Sequence, residues 1–169
     1  MASSGGGVVV GPDEIVANAR DRGVPVDLLS DLGPIRTVVE ASEAAGRSLG
    51  EVGNTVLVTI QGRPVLVVVP GDRALDGEAV GATYGADALE ISLATQAEAR
   101  ELTGYDLGLI PPVGHEADCD LLVDRHLLDH ERVLFPAGTD DTLLELDPRQ
   151  LAALDDAEVG EWSRAKDEG

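Results

Sequence analysis

Aromatic side chains are almost missing from this chain: two Tyr, one Phe and one Trp in 169 residues. Its core must therefore be built from Val, Leu, Ile and Ala. The hydrophobic content of 43 % is enough for one domain with a packed interior, and the length is too short for two large ones. A single cysteine, Cys119, excludes an internal disulfide and any multi-cysteine zinc site. No apolar run approaches the roughly 20 residues of a membrane span, and the Val8–Val10 run is too short and lacks the basic flank of a signal peptide. The expectation is a soluble cytoplasmic protein with no membrane partner. The chain also lacks G-K-[ST], G-x-S-x-G and a G-x-G-x-x-G after a strong strand, so ordinary nucleotide binding and serine hydrolysis are disfavoured.

Positive charge is the other scarcity. Lysine occurs once, at Lys166; Asp and Glu number 32 against 12 for Lys and Arg, for a formal charge of −20. Such a surface repels the nucleic-acid backbone broadly and leaves room only for contact through one small pocket. Acidity with lysine depletion suits a cell of high internal salt, where screening mutes self-repulsion.

What is present reads as short strands and short helices interspersed. Residues 1–11 form an expected flexible start, 12–155 the domain, and 156–169 an acidic C-terminal tail. Pro12 at the first helical turn and Gly23 bracket a helix. Thr37 with Glu40, and Thr95 with Glu98, have the spacing of capping boxes, closed by Gly46 and Gly104. "NTVLVTI" and "PVLVVVP" flank "QGR", a hairpin whose near-continuous Val and Leu predict strands covered on both faces. "ALEISL", "CDLLVD", "RVLFPAG" and "TLLELD" are further strands, and Asp147 with Pro148 opens a last helix. The fold class expected is α+β: a single domain with a mixed, mostly antiparallel, barrel-like sheet and surrounding short helices.

Several polar groups compete as sites. His115, Glu116, Asp118, Cys119 and Asp120 in "HEADCD" match no established ligand spacing, and His126 and His130 lack the inner Glu of H-E-x-x-H; a solvated loop and an exposed helix face explain them better. "GLIPPVGH" is more specific. Gly108, Pro111, Pro112 and Gly114 fix a tight loop whose backbone groups can hold a small polar ligand or a developing oxyanion. "FPAGTDDT" is a second such loop, with Gly138 beside Thr139, Asp140, Asp141 and Thr142.

In order, "TVVEASEAAG", "VGNTVLVTIQGRPVLVVVPGDRALD", "ELTGYDLGLIPPVGH" and "VLFPAGTDDTLLELDPRQLAAL" resemble the YbaK/ProX-type aminoacyl-tRNA deacylases, relatives of the editing insertion of bacterial prolyl-tRNA synthetase. The resemblance runs from about residue 12 to about residue 154. It implies hydrolysis of a mischarged aminoacyl ester at the 3′ end of a tRNA, with no metal and no cofactor, and an aminoacyl-tRNA synthetase as a further partner. Its G-x-x-x-P loop maps onto Gly108 to Pro112. By the same resemblance Gly108, Pro112 and Asn54 form the catalytic group, and Thr37, Pro111, Gly114, His115, Gly138, Thr139 and Asp141 surround the substrate. The departure is at Asn54, where the family carries a lysine thought to engage the substrate. Charge-assisted hydrogen bonds contribute about 1.5–3 kcal/mol against about 0.5–1.5 for neutral ones, so this exchange corresponds to roughly 5- to 30-fold in binding or rate. The alternative that follows from Asn54 is a binding module that kept the pocket and lost the reaction.

Overall fold

The computed structural model describes residues 10–166. Residues 1–9 of the expected flexible start lie outside them, as do residues 167–169 of the expected tail. In chain order the elements are α1 (Pro12–Asp21), β1 (Val26–Leu29), α2 (Val38–Ala45), β2 (Gly53–Ile60), β3 (Arg63–Pro70), β4 (Arg73–Leu75), α3 (Gly77–Thr83), β5 (Ile91–Leu93), α4 (Gln96–Thr103), β6 (Asp120–Asp124), β7 (Val133–Pro136), β8 (Leu143–Leu146), α5 (Pro148–Ala152), β9 (Ala157–Gly160) and β10 (Ser163–Ala165). Short 3₁₀ turns join several of them.

Local chemistry sets most of these boundaries. The Thr95 hydroxyl accepts from the Glu98 N–H at 3.1 Å while Glu98 accepts from the Thr95 N–H at 2.9 Å, a reciprocal cap for α4. Thr37 caps α2 in the same way at Glu40 N–H, but Glu40 reaches back one residue further, to the Arg36 N–H at 2.8 Å. The β2–β3 hairpin forms in register from Gly53 opposite Pro70 to Ile60 opposite Arg63.

That hairpin is central to a five-stranded sheet of order β5-β2-β3-β6-β9. Because side chains alternate along β3, Leu66 and Val68 enter one apolar cluster with Ile15, Phe135 and Leu144, while Val65, Val67 and Val69 enter another with Val80 and Trp162. A buried Val or Leu contributes about 1.5–3 kcal/mol relative to exposure, so the five residues anchor both layers. The sheet is mixed: β3–β6 and β6–β9 are parallel and its other pairs antiparallel.

The fold is the expected single α+β domain with mixed, mostly antiparallel strand pairing; among the described residues the strands make three sheets and no closed barrel. The second sheet, β1-β8-β7, meets the five-stranded one through an isolated bridge between Val52 and Leu134 and through the Phe135 ring seated against Gly53. That single parallel bridge stands in place of a continuous ladder there. The segment expected as an acidic tail also carries structure: β9 adds in parallel to β6, and β10 pairs with β4, a strand not foreseen. Trp162 between them is 3 % exposed.

Asp124 holds this C-terminal segment in place. Its carboxylate is fully buried and accepts from the Trp162 N–H at 2.8 Å, and from the His126 N–H and ring Nδ1, both at 2.9 Å. Asp124→Ala leaves the buried Trp162 N–H and the half-buried His126 donors without this acceptor and is expected to cost about 3 kcal/mol. Urea unfolding checks the loss, and Trp162, the single tryptophan, reports it by a red shift of native emission. A loss below about 0.5 kcal/mol would show that Asp124 does not hold the segment.

Candidate functional site

Three loops meet over the start of β2. The Gly138 N–H donates to the Leu109 carbonyl at 3.0 Å, tying the loop after β7 to the Gly108–Pro112 loop. The Leu32 N–H donates to the Asp141 carbonyl at 3.0 Å and the Ile35 N–H to the Asp140 carbonyl at 2.6 Å, tying in the segment before α2. Between them lies a cavity of about 250 Å³. Its walls are apolar at Ile35, Val38, Val52, Leu109, Phe135 and Leu143, with Thr37, Asn54, Thr139 and Thr142 as polar points.

Of the residues singled out in the sequence, Thr37, Asn54, Gly108, Thr139 and Thr142 line this cavity. Gly108 has φ +84°, and a Cβ there would stand 3.0 Å from the Arg36 carbonyl oxygen, so only glycine fits the turn without strain. Leu109 spends its N–H on the Asp106 carbonyl at 3.0 Å, while Gly108 N–H has no backbone acceptor among the described residues. Asn54 pairs with Val69 in the ladder, and its side-chain amide makes no hydrogen bond among the described residues.

Asp141 is exposed, does not line the cavity, and bonds two residues of its wall. It accepts from the Thr139 hydroxyl at 2.9 Å and the Thr142 hydroxyl at 3.0 Å. Those two bonds hold its carboxyl below the usual range. A hydroxyl carries one donor and two acceptor positions. With both protons committed to Asp141, Thr139 and Thr142 offer lone pairs to the cavity, a face that suits a cationic or N–H donor group.

Pro111, Pro112, Gly114, His115 and Gly138 do not line the cavity. Pro111 and Pro112 are buried and stiffen the loop. Gly114 packs directly on the Ile15 backbone and its carbonyl accepts from the Asn18 side chain at 2.9 Å. A Cβ at Gly138 would meet the Tyr105 ring at 2.9 Å, so this position is fixed by packing beneath the loop. Sequence reasoning missed Gly53, Phe135 and Arg36 as wall residues. The Phe135 ring occupies the space any Cβ at Gly53 would need, a three-dimensional relation with no local signature. Arg36 reaches Asp140 at 3.5 Å across the mouth, an exposed pair contributing about 0–1 kcal/mol.

His126 and His130 sit on a 3₁₀ turn away from this cavity, with His126 turned to Asp124. Among the described residues no three His, Cys, Asp or Glu side chains assemble as metal ligands.

His115 lies near Arg22, just after α1, and Asp156, just before β9. Burial, helped by the Arg22 charge and opposed by Asp156, pushes its pKa down to about 4. Its Nδ1 accepts from the Ala117 N–H at 3.1 Å, which requires the neutral ring. The unfolded chain titrates at the ordinary value, so it takes up a proton first as pH falls. The contribution is complete above about pH 6.5 and is lost downward toward about pH 4, by about 2 kcal/mol between pH 7 and pH 5. Urea midpoints at these two pH values should converge in His115→Gln; an unchanged difference would remove His115 as its source.

The family model described as the aminoacyl-tRNA editing domain matches residues 33–154. Uncharacterized protein YwhH of Bacillus subtilis is 27 % identical over 124 residues, 73 % of this chain and 77 % of that one. The proline–tRNA ligase of Maridesulfovibrio salexigens is 34 % identical over 95 residues, which is 56 % of this chain but 15 % of the ligase. Among solved structures, hypothetical protein APE2540 superposes with TM-score 0.82 at 34 % identity, covering 89 % of this chain and 99 % of that one. A proposed trans-editing enzyme for prolyl tRNA synthetase superposes with TM-score 0.76 at 29 % identity, covering 91 % and 97 %. With most of its length matched by that model, and the matched segment carrying all three loops around the cavity, the chain belongs to the aminoacyl-tRNA editing domain family.

Proposed function

We propose that this protein is a trans-editing deacylase that hydrolyses the ester of a mischarged aminoacyl-tRNA bearing a small side chain. The observation that carries the reading is the convergence of Thr37, Asn54, Gly108 and Thr139 on one cavity in an editing-domain fold. The likeness to a proposed trans-editing enzyme for prolyl tRNA synthetase supports it. Ligand pockets commonly span about 300–1,000 Å³. At about 250 Å³ this one suits an aminoacyl group and not a whole nucleotide. A proofreading site of this kind is needed where small apolar side chains cannot be separated well by binding alone.

Each group has a role in this reading. The apolar wall takes the side chain. Thr139 and Thr142, their protons held by Asp141, accept from the α-ammonium. Gly108 N–H polarises the ester carbonyl, and attack by water breaks the acyl–oxygen bond and releases free amino acid and tRNA. Asn54 hydrogen-bonds the ribose side of the ester. Acting in trans, it would meet aminoacyl-tRNA released by a synthetase, in the cytoplasm. The acidic surface fits a salt-rich interior in which long-range repulsion of the tRNA is screened.

Asn54 also favours a second reading, a module that binds the aminoacyl end without turnover. A panel of mischarged tRNAs, assayed for ester hydrolysis at low and high potassium chloride, separates the two. Wild type is expected to hydrolyse at least one, and Asn54→Lys to raise kcat/KM roughly 5- to 30-fold at low salt and less at high salt. Asp141→Ala is expected to raise KM more than it lowers kcat, because it frees the two hydroxyl protons. Binding without hydrolysis in both wild type and Asn54→Lys would establish the second reading and sink the first.

A further inference from the structure

A second cleft, of about 650 Å³, opens beside the first. Asn54 lines both, and it is the residue their walls share. The floor of the second cleft is apolar: Val56, Val58, Leu75, Ile91 and Leu93. Leu93, on the edge strand β5, is 65 % exposed. An apolar floor open to solvent, sharing Asn54 with a cavity read as the aminoacyl site, calls for an occupant.

The distribution of cations says what that occupant carries. Among the described residues eight arginines are paired with carboxylates: Arg22, Arg36, Arg47, Arg63, Arg100, Arg125, Arg132 and Arg149. Arg20, Arg73, Arg164 and Lys166 have no ion-pair partner among the described residues. Three of these four sit on or next to the β4–β10 ribbon, where Arg73 opposes Ala165 and Arg164 opposes Ala74. Arg73 is occupied by Ser163, at 2.8 Å to its hydroxyl, and Lys166 by the Gly71 carbonyl at 2.7 Å. Arg164 makes no such bond among the described residues and lines the second cleft. Two acids share that cleft. Asp76 is spent on capping the Ala79 N–H at 3.2 Å, and Glu78 forms no ion pair with Arg164.

On a surface of net charge −20, Arg164 is a guanidinium with no ion-pair partner among the described residues, set over an apolar floor in a cleft that also carries Asp76 and Glu78, and it is the cleft's point of attraction for a phosphate. We propose that the second cleft holds the 3′-terminal nucleotide of the aminoacyl-tRNA, its nucleoside over the floor and its 5′-phosphate on Arg164. The ester then lies at Asn54, where the two cavities meet. Arg164 supplies, from β10, the cation that the entrance of β2 does not carry. It lies beyond residue 154, where the family match ends. The inference rests on the editing reading of the first cavity.

The test uses the full chain and hydrolysis-resistant probes: 3′-aminoacylamino-3′-deoxyadenosines carrying alanine, serine or cysteine, each with and without a 5′-phosphate. Wild type is expected to bind the phosphorylated form of at least one about tenfold tighter at low salt, as a charge-assisted contact provides, with the preference shrinking as salt rises. R164Q should bring the two forms within about twofold, chiefly by weakening the phosphorylated one, and R164K should restore most of the preference. Unaltered Trp162 emission would certify that β10 stays docked. If wild type binds both forms equally, or if R164Q keeps the preference and R36Q loses it, the assignment of Arg164 fails while the editing reading stands. If wild type binds none of the probes, the editing reading fails and takes this inference with it.

Discussion

Burial of β3 on both faces is the constraint from which the rest of this molecule follows. A strand of continuous Val and Leu cannot tolerate solvent on either side, so one layer must cover each face. One cover is the α1 and β1-β8-β7 layer and the other is α3 with Trp162. Held in this way, β3 fixes β2 in register, and the entrance of β2 becomes the rigid floor on which Gly53 and Asn54 stand. The Phe135 ring then packs against Gly53, and the three loops close over the cavity between the two sheets.

Those loops are positioned by backbone hydrogen bonds to one another, and side-chain charges play little part. Gly138 to Leu109, Leu32 to Asp141 and Ile35 to Asp140 set their spacing. Such bonds depend on no side-chain identity and are not screened as exposed ion pairs are, which suits a protein whose surface carries so much like charge. The polar chemistry of the cavity is hydroxyls, an amide and a backbone N–H, with the Arg36 guanidinium of the wall paired to Asp140 and the Asp141 carboxylate bonded to the two Thr hydroxyls.

Electrostatics enters at the edge of the site. The C-terminal segment, held down by Asp124, docks β10 on β4 and brings Arg164 to the cleft beside Asn54. In the proposed reading, Arg164 supplies from β10 a cation that the entrance of β2 does not carry.

The sequence by itself determined the local elements whose causes are local. Thr37 with Glu40 and Thr95 with Glu98 marked helix starts because a hydroxyl and a carboxylate three residues apart satisfy free N–H groups nearby. The hairpin around Gln61-Gly62-Arg63 was legible because β-branched runs flank a glycine turn. The resemblance carried by the ordered motifs pointed to Asn54 and Gly108, which do meet. Tertiary structure alone decided what depends on approach between distant residues. It turned His115 and Gly114 to packing against α1, placed Phe135 on Gly53, and made strands of β9 and β10, whose short polar runs carry no alternation of their own. Their partners, β6 and β4, lie some 35 and 90 residues away in the chain. Pairing energy of that kind comes from the edge they join, and no local pattern encodes it.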